Sequence, residues 1–143
     1  MDNRVALVTG STSGIGLAIA QRLAAAGYSI AVNSFEPEAE VAAALDSIAI
    51  TPPARRRYFE ADLADPAEAA ALVGRVVAEF GRIDILVNNA GVQKVAAVEE
   101  LPPADWDRIR AISLDSAFHT IRSALPDMRS RGWGRIINIA SAR

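Results

Sequence analysis

The chain has 143 residues, enough for one domain, and its 51% hydrophobic and 22% charged residues are the balance of a globular protein with a buried core. A net charge of −2 offers no electrostatic footprint for nucleic acid or for an anionic membrane. The absence of cysteine excludes disulfides and thiolate metal sites, and the lone histidine, His119, gives no basis for a zinc centre.

Met1-Asp2-Asn3-Arg4 runs straight into an apolar stretch, so neither a signal peptide nor a membrane span is expected, and the expected location is the cytoplasm. The first strand is predicted from about Arg4 to Thr9, around Val5-Ala6-Leu7-Val8. Thr9-Gly10-Ser11-Thr12-Ser13-Gly14-Ile15-Gly16 follows and opens a helix from about Gly14 to Ala26, with Gly27 as its stop. Strand, glycine turn and helix N-terminus in that order make a seat for the pyrophosphate of a dinucleotide. Gly10 permits the tight turn, Gly14 lets phosphate oxygens approach, and Gly16 lets helix and strand pack closely. Thr12, Ser13 and Ile15 complete the seat, and the unpaired N–H groups of the first helical turn face the negative charge.

A second strand is predicted over Ser29 to Asn33, then a helix with Pro37 near its start and Val41, Leu45 and Ile48 as its buried stripe. Pro52-Pro53 ends that unit, and Arg55-Arg56-Arg57 reads as a solvated loop before a third strand from about Arg57 to Glu60. Asp65 caps the next helix, with Pro66 at its first position and Glu68 reaching back to the cap. Leu72, Val73, Val76, Val77 and Phe80 form its stripe and Gly81 ends it. A fourth strand, Ile83 to Val87, leads into the loop Asn88-Asn89-Ala90-Gly91. A long helix is predicted from Pro103 towards Met128, bent or ended by Pro126, before a fifth strand from Arg135 to Ile139 with Ser141 just beyond.

This alternation specifies a Rossmann-type, doubly wound parallel α/β sheet, with residues 1–143 forming one dinucleotide-binding domain. Strands one to three fall on one side and four to five on the other, so the ligand crevice opens between strands one and four. The fifth strand is an edge with no covering helix after it, and the chain reads as truncated there.

The glycine turn, Asp62-Leu63, Asn88-Asn89-Ala90-Gly91 and Gly134-Arg135-Ile136-Ile137-Asn138-Ile139-Ala140-Ser141, in this order and spacing, resemble the short-chain dehydrogenase/reductase family over the whole chain. Val92-Gln93, Ser116-Ala117-Phe118-His119-Thr120 and Trp133-Gly134-Arg135 are similar to the D-3-hydroxybutyrate dehydrogenases within it. The resemblance implies that Asp62 and Leu63 contact adenine, the reading preferred over Asp62 as a mere turn residue after the third strand. It also implies that Asn89, Ala90 and Gly91 line the adenosine side, while Asn88 ties the fourth strand to its neighbour. Ile112 stands where the family packs an apolar residue near the cofactor, or is a core residue of the long helix. Gln93 matches a substrate-carboxylate contact, or is an exposed loop glutamine.

Cofactor choice turns on the end of the second strand, where Ser34 stands in place of the family's frequent aspartate and is followed by Phe35 and Glu36. No basic residue lies between Ser29 and Ile50 or in the glycine turn, so NAD is favoured over NADP, with Phe35 as a wall for the adenosine. The resemblance implies a catalytic tyrosine with a lysine four residues later, a serine and an asparagine. Ser141 matches the serine. The only tyrosines are Tyr28 and Tyr58, the only lysine is Lys94, and no Tyr-x-x-x-Lys occurs. Ser113 replaces the asparagine, and Arg143 stands where hydroxybutyrate dehydrogenases carry a histidine. His119 reads as a helix-surface or packing residue, and Trp106 and Trp133 as anchors.

The resemblance therefore implies an NAD-dependent oxidoreductase for a small hydroxy or keto substrate, inactive as this chain alone. The competing reading is a non-catalytic dinucleotide-binding module or a degenerate partner subunit. A self-contained flavodoxin-like domain fits less well, because a terminal Ser141 makes sense only with residues after it. The family's homotetramer is not expected of this chain, since one of the two interface helices is missing.

Overall fold

A computed structural model describes residues 3–141. Strands β1 (Val5–Val8), β2 (Ser29–Ser34), β3 (Arg56–Glu60), β4 (Ile85–Asn88) and β5 (Arg135–Asn138) form one parallel sheet in the order β3-β2-β1-β4-β5. The helices are α1 (Gly14–Ala25), α2 (Ala42–Asp46), α3 (Pro66–Phe80), α4 (Pro103–Arg110) and α5 (Ser116–Ser130). The strand order reverses between β1 and β4, where a doubly wound sheet opens a crevice at its carboxyl ends.

Successive strand residues face opposite sides, and both sides are covered, which is why β1 and β4 read as unbroken apolar runs. Val5, Leu7, Ala31 and Leu86 pack with Leu72 and Val76 of α3 and Ala124 and Met128 of α5. Ala6, Val8, Ile30, Val32 and Val87 pack with Ala20 and Ala24 of α1 and Leu45 of α2. At the open edge Ile136 of β5 packs on the first cluster, whereas Ile137 and Ile139 are exposed.

Local expectations differ from the structure in six places. The helix expected after β2 is a 3₁₀ turn, Glu38–Glu40, and the five-residue α2. Val41, Leu45 and Ile48 are buried as the stripe required, but they support only about two turns and no stripe beyond them propagates a helix. Asp65 caps α3, its Oδ1 accepting from the Ala67 N–H at 2.8 Å, and Gly81 ends it with φ +82°. Glu68, however, accepts from the Asp62 N–H at 2.6 Å, because the Asp65 N–H already donates to the Asp62 carbonyl. The long helix is α4 and α5 joined by a π-helical turn, Ala111–Asp115. Pro126 does not end it: Ala124 and Met128 are buried on either side, and their packing outweighs one lost backbone bond. Arg56 and Arg57 are strand residues, and Arg55 and Arg57 both pair with Glu79 rather than lying free in a loop. Trp106 is largely exposed and anchors nothing, whereas Trp133 packs against the core with Arg4 and Arg135 over its ring.

At the end of the sheet opposite the glycine turn lies an ionic cluster. The Asp84 carboxylate is fully buried and accepts from the Val5 N–H at 2.8 Å, from Arg82 twice at 2.8 Å and from Arg131 at 2.7 Å. Arg131 also reaches Asp127 at 2.7 Å. No helix among the described residues is long and apolar enough to cross a membrane.

Candidate functional site

The glycine turn is held in place by its neighbours' polar side chains. Thr9, at the end of β1, accepts through Oγ1 from the N–H groups of both Asn89 and Ala90 at 3.0 Å. Asn89 returns the tie, its Nδ2 donating to the carbonyls of Thr9 at 3.1 Å and Gly10 at 3.0 Å. On the other side Asn33 Oδ1 accepts from the Gly10 N–H at 3.2 Å, and Asn33 Nδ2 donates to the Phe59 carbonyl at 3.0 Å. Three consecutive strand ends are thereby locked to one turn. Thr9→Val keeps the shape but strips the acceptor from two amides, so it is expected to destabilise the fold by about 1–3 kcal/mol, read as a lower urea midpoint.

Within the turn, Gly10 and Gly14 have φ of +58° and +52°, the left-handed region that disfavours side chains. Gly16 does something other than expected. A Cβ there would lie 2.1 Å from the Gly10 carbonyl oxygen and 2.4 Å from Asn89 Nδ2, so it lets the helix approach the turn itself rather than a strand. No side chain caps α1, and no acidic residue lies in its first turn. Its leading N–H groups are left for an anion, and the side-chain position of Gly14 is open space.

These features surround a cleft of about 330 Å³ at the carboxyl ends of β1, β2 and β4. Gly10, Thr12, Ser13, Gly14, Ile15 and Gly16 form its floor. Phe35, Asp62 and Leu63 lie towards β2 and β3, and Asn89, Ala90, Gly91 and Ile112 close the other side. All the predicted cofactor-site residues thus meet in one place. The exposed side chains of Ile15 and Phe35 offer apolar faces beside a row of unpaired amides, a donor set that suits a diphosphate joined to flat rings. Asp62 serves as a turn residue as well, its Oδ1 accepting from the Ala64 N–H at 2.9 Å.

Asn33, Ala61, Val92 and Arg108 also line the cleft and escaped the sequence reading. A signal existed for two of them: Asn33 is a polar residue in an otherwise buried strand, and Arg108 precedes Ile112 by one helical turn. Arg108 is held 3.7 Å from Asp62 across the rim. Gln93 lies outside the main cleft, in an adjoining cavity of about 210 Å³ with Lys94, Asp105 and Ile109.

The predicted catalytic position is separate. Ser141 is exposed beyond β5 and is not part of the cleft lining. Arg143 lies outside the described residues. Tyr58 donates its hydroxyl to the Glu36 carbonyl, and burial raises its pKa above the ordinary tyrosine value, away from what a base requires. Lys94 is paired with Asp105. Ser113 bonds the Val92 backbone, its Oγ lying 3.3 Å from the N–H and 3.4 Å from the carbonyl. Asn88 ties β4 to β5 as expected, donating to Asn138 Oδ1 at 2.9 Å and accepting from the Thr120 hydroxyl at 2.6 Å. His119 stacks edge-on to Phe118 and has no part in the cleft.

Comparison with known proteins agrees with this architecture. Residues 4–143 match the family described as short chain dehydrogenase. The chain is 50% identical to a D-beta-hydroxybutyrate dehydrogenase of Rhizobium meliloti over 139 residues, covering 97% of the chain and 54% of the relative. It is 51% identical to the enzyme of that name from Cupriavidus necator over 145 residues, covering 99% and 54%. A crystal structure of a metagenomic short-chain oxidoreductase in complex with NADP superposes with a TM-score of 0.89 at 33% identity, over 99% of this chain and 63% of that one. The chain spans about half the length of the curated relatives it matches. A parallel sheet of this order, a locked glycine turn and a match over nearly every residue make the chain a member of the short-chain dehydrogenase family.

Proposed function

We propose that the chain forms the dinucleotide-binding part of an NAD-dependent oxidoreductase acting on a small secondary alcohol or its ketone, with 3-hydroxybutyrate as the substrate the relatives point to. In this reading the 143 residues alone bind NAD in a cytoplasmic setting and turn nothing over. The convergence of the glycine turn, Phe35, Asp62 and the Asn89-Ala90-Gly91 loop on one cleft is the observation that supports it most strongly.

The chain's own residues would divide the work. The first-turn amides of α1 receive the diphosphate, and Gly14 lets it approach. Phe35 and Ile112 flank the apolar faces, and Asp62 Oδ2 accepts from the adenine amine. Bound nicotinamide would supply the hydride acceptor. Oxidising an alcohol also needs a base for the hydroxyl proton, and neither Tyr58 nor Lys94 is free to serve. NAD is favoured over NADP because Arg108 is the only cation in the cleft lining among the described residues, and it is paired with Asp62.

A non-catalytic binding module or partner subunit shares the first half of this reading, and the engagement of Tyr58 and Lys94 keeps it in view. Calorimetric titration with NAD and NADP, followed by an absorbance assay with 3-hydroxybutyrate, tests both halves. NAD is expected to bind, NADP to bind about tenfold more weakly or worse, and no reduced cofactor to form. Turnover by purified chain would contradict the proposal.

A further inference from the structure

Asp62 is anchored more firmly than a turn requires. Its Oδ1 accepts from the Ala64 N–H at 2.9 Å, its own N–H donates to Glu68 at 2.6 Å, and its carbonyl accepts from the Asp65 N–H at 3.0 Å. Its Oδ2 meets Arg108 of α4, whose Nη1 stands 3.7 Å away. That distance makes an ion pair but is too long for a hydrogen bond, so the oxygen keeps its lone pairs and the guanidinium its N–H groups. The two side chains are 43% and 46% exposed, and a pair so exposed adds little to stability. Both residues line the cleft, and Arg108 also lines the adjoining cavity, which gives its stem room to turn.

The pair sets a hydrogen-bond acceptor beside a donor on one rim of the cleft. A carboxamide offers the same arrangement, and it reads adenine by accepting from the N6 amine and donating to N7. We propose that Arg108 is a base-reading residue, its guanidinium donating to N7 of the purine whose amine Asp62 accepts. This rests on the dinucleotide-binding reading of the cleft and adds a second group, from a different wall, to recognition of the base. Asp62 follows β3, whereas Arg108 comes from α4, one helical turn before the buried Ile112. A carboxylate alone asks for a donor and is indifferent to the neighbouring ring atom. With the guanidinium beside it, the rim asks for a donor next to an acceptor. Hypoxanthine presents two acceptors on that edge and is disfavoured at Asp62. In 7-deazaadenine a carbon replaces N7, and the loss falls on Arg108.

The test is calorimetric titration of ADP and 7-deaza-ADP into the 143-residue chain and its Arg108→Met and Arg108→Lys variants, each first checked by circular dichroism for a native-like melt. The two ligands share ribose and diphosphate, so their affinity ratio isolates one ring atom. Wild type is expected to prefer ADP by about fivefold. Arg108→Met keeps the apolar stem but removes the donor, and should bind the two ligands equally. Arg108→Lys returns a donor and should recover a preference of about twofold. If Arg108 only steadied Asp62, Arg108→Met would weaken both ligands alike and leave the ratio at its wild-type value, which overturns the assignment. A wild-type chain that binds both ligands equally overturns it as well. A wild-type chain that binds neither ADP nor NAD overturns the proposed function itself, a separate outcome.

Discussion

Gly16→Ala is expected to weaken NAD binding by about ten- to a hundredfold, the equivalent of about 1–3 kcal/mol of overpacking. The added methyl would meet the Gly10 carbonyl oxygen at 2.1 Å and Asn89 Nδ2 at 2.4 Å. Neither can retreat cheaply. Gly10 is backbone in the turn that faces the ligand, and Asn89 is bonded to two carbonyls of that turn. Relief therefore means moving α1 away from the glycine turn, which carries its leading amides away from the cleft. Gly14→Ala is the informative contrast, because its methyl would project into open space and only the φ of +52° opposes it. Its cost is expected to be about 1–2 kcal/mol of backbone strain, without displacement of the helix. Equal losses in the two variants, measured by calorimetry, would contradict the role given to Gly16.

The second large effect lies at the far end of the sheet. Asp84→Ala removes a fully buried carboxylate from between Arg82, Arg131 and the Val5 N–H, and is expected to destabilise the protein by about 3–5 kcal/mol. Burial alone would raise the pKa of Asp84, but the bonds from Arg82, the Val5 N–H and Arg131 outweigh it and hold the pKa below its ordinary value. The bond from Arg131 likewise lowers Asp127, against partial burial and with help from the Ile83 N–H. In the unfolded chain both carboxyls titrate near about 3.9. Their stabilisation is therefore complete above that value and is lost as the pH falls through it towards the lower folded values. Urea midpoints measured down an acid series should decline in wild type, and the Asp84→Ala decline should be shallower. Parallel declines would remove Asp84 from the account.

What was legible in the sequence, and what was not, follows from how far each signal reaches. The strands, their parallel order and the cleft follow from local features: unbroken apolar runs covered on both faces, glycines where φ is positive, and Asp65 with Pro66 at a helix start. The errors lie where a partner distant in sequence decides. Glu68 has two N–H groups within reach, and only the fold shows that the Asp65 N–H is already taken. Pro126 is a helix breaker by its own chemistry, but Ala124 and Met128 are buried against a sheet formed by earlier segments. Asn33 looks like one polar residue in a strand; its bonds to Gly10 and Phe59 depend on β1 and β3 lying on either side. Within the cleft, residue types at motif spacing marked the floor, whereas Arg108 enters from a helix packed over it and is marked only by its place one helical turn before Ile112.

If a nicotinamide dinucleotide is bound by this chain, the cleft is the part expected to receive it. That expectation is tested most directly by recording amide resonances of labelled protein during NAD titration. The largest shifts are expected at Gly14, Ile15, Gly16, Asp62 and Gly91, with Arg129, Gly132 and Ile136 at the opposite end of the sheet unmoved. Shifts centred on that opposite end, or none at saturating NAD in a folded sample, would contradict it.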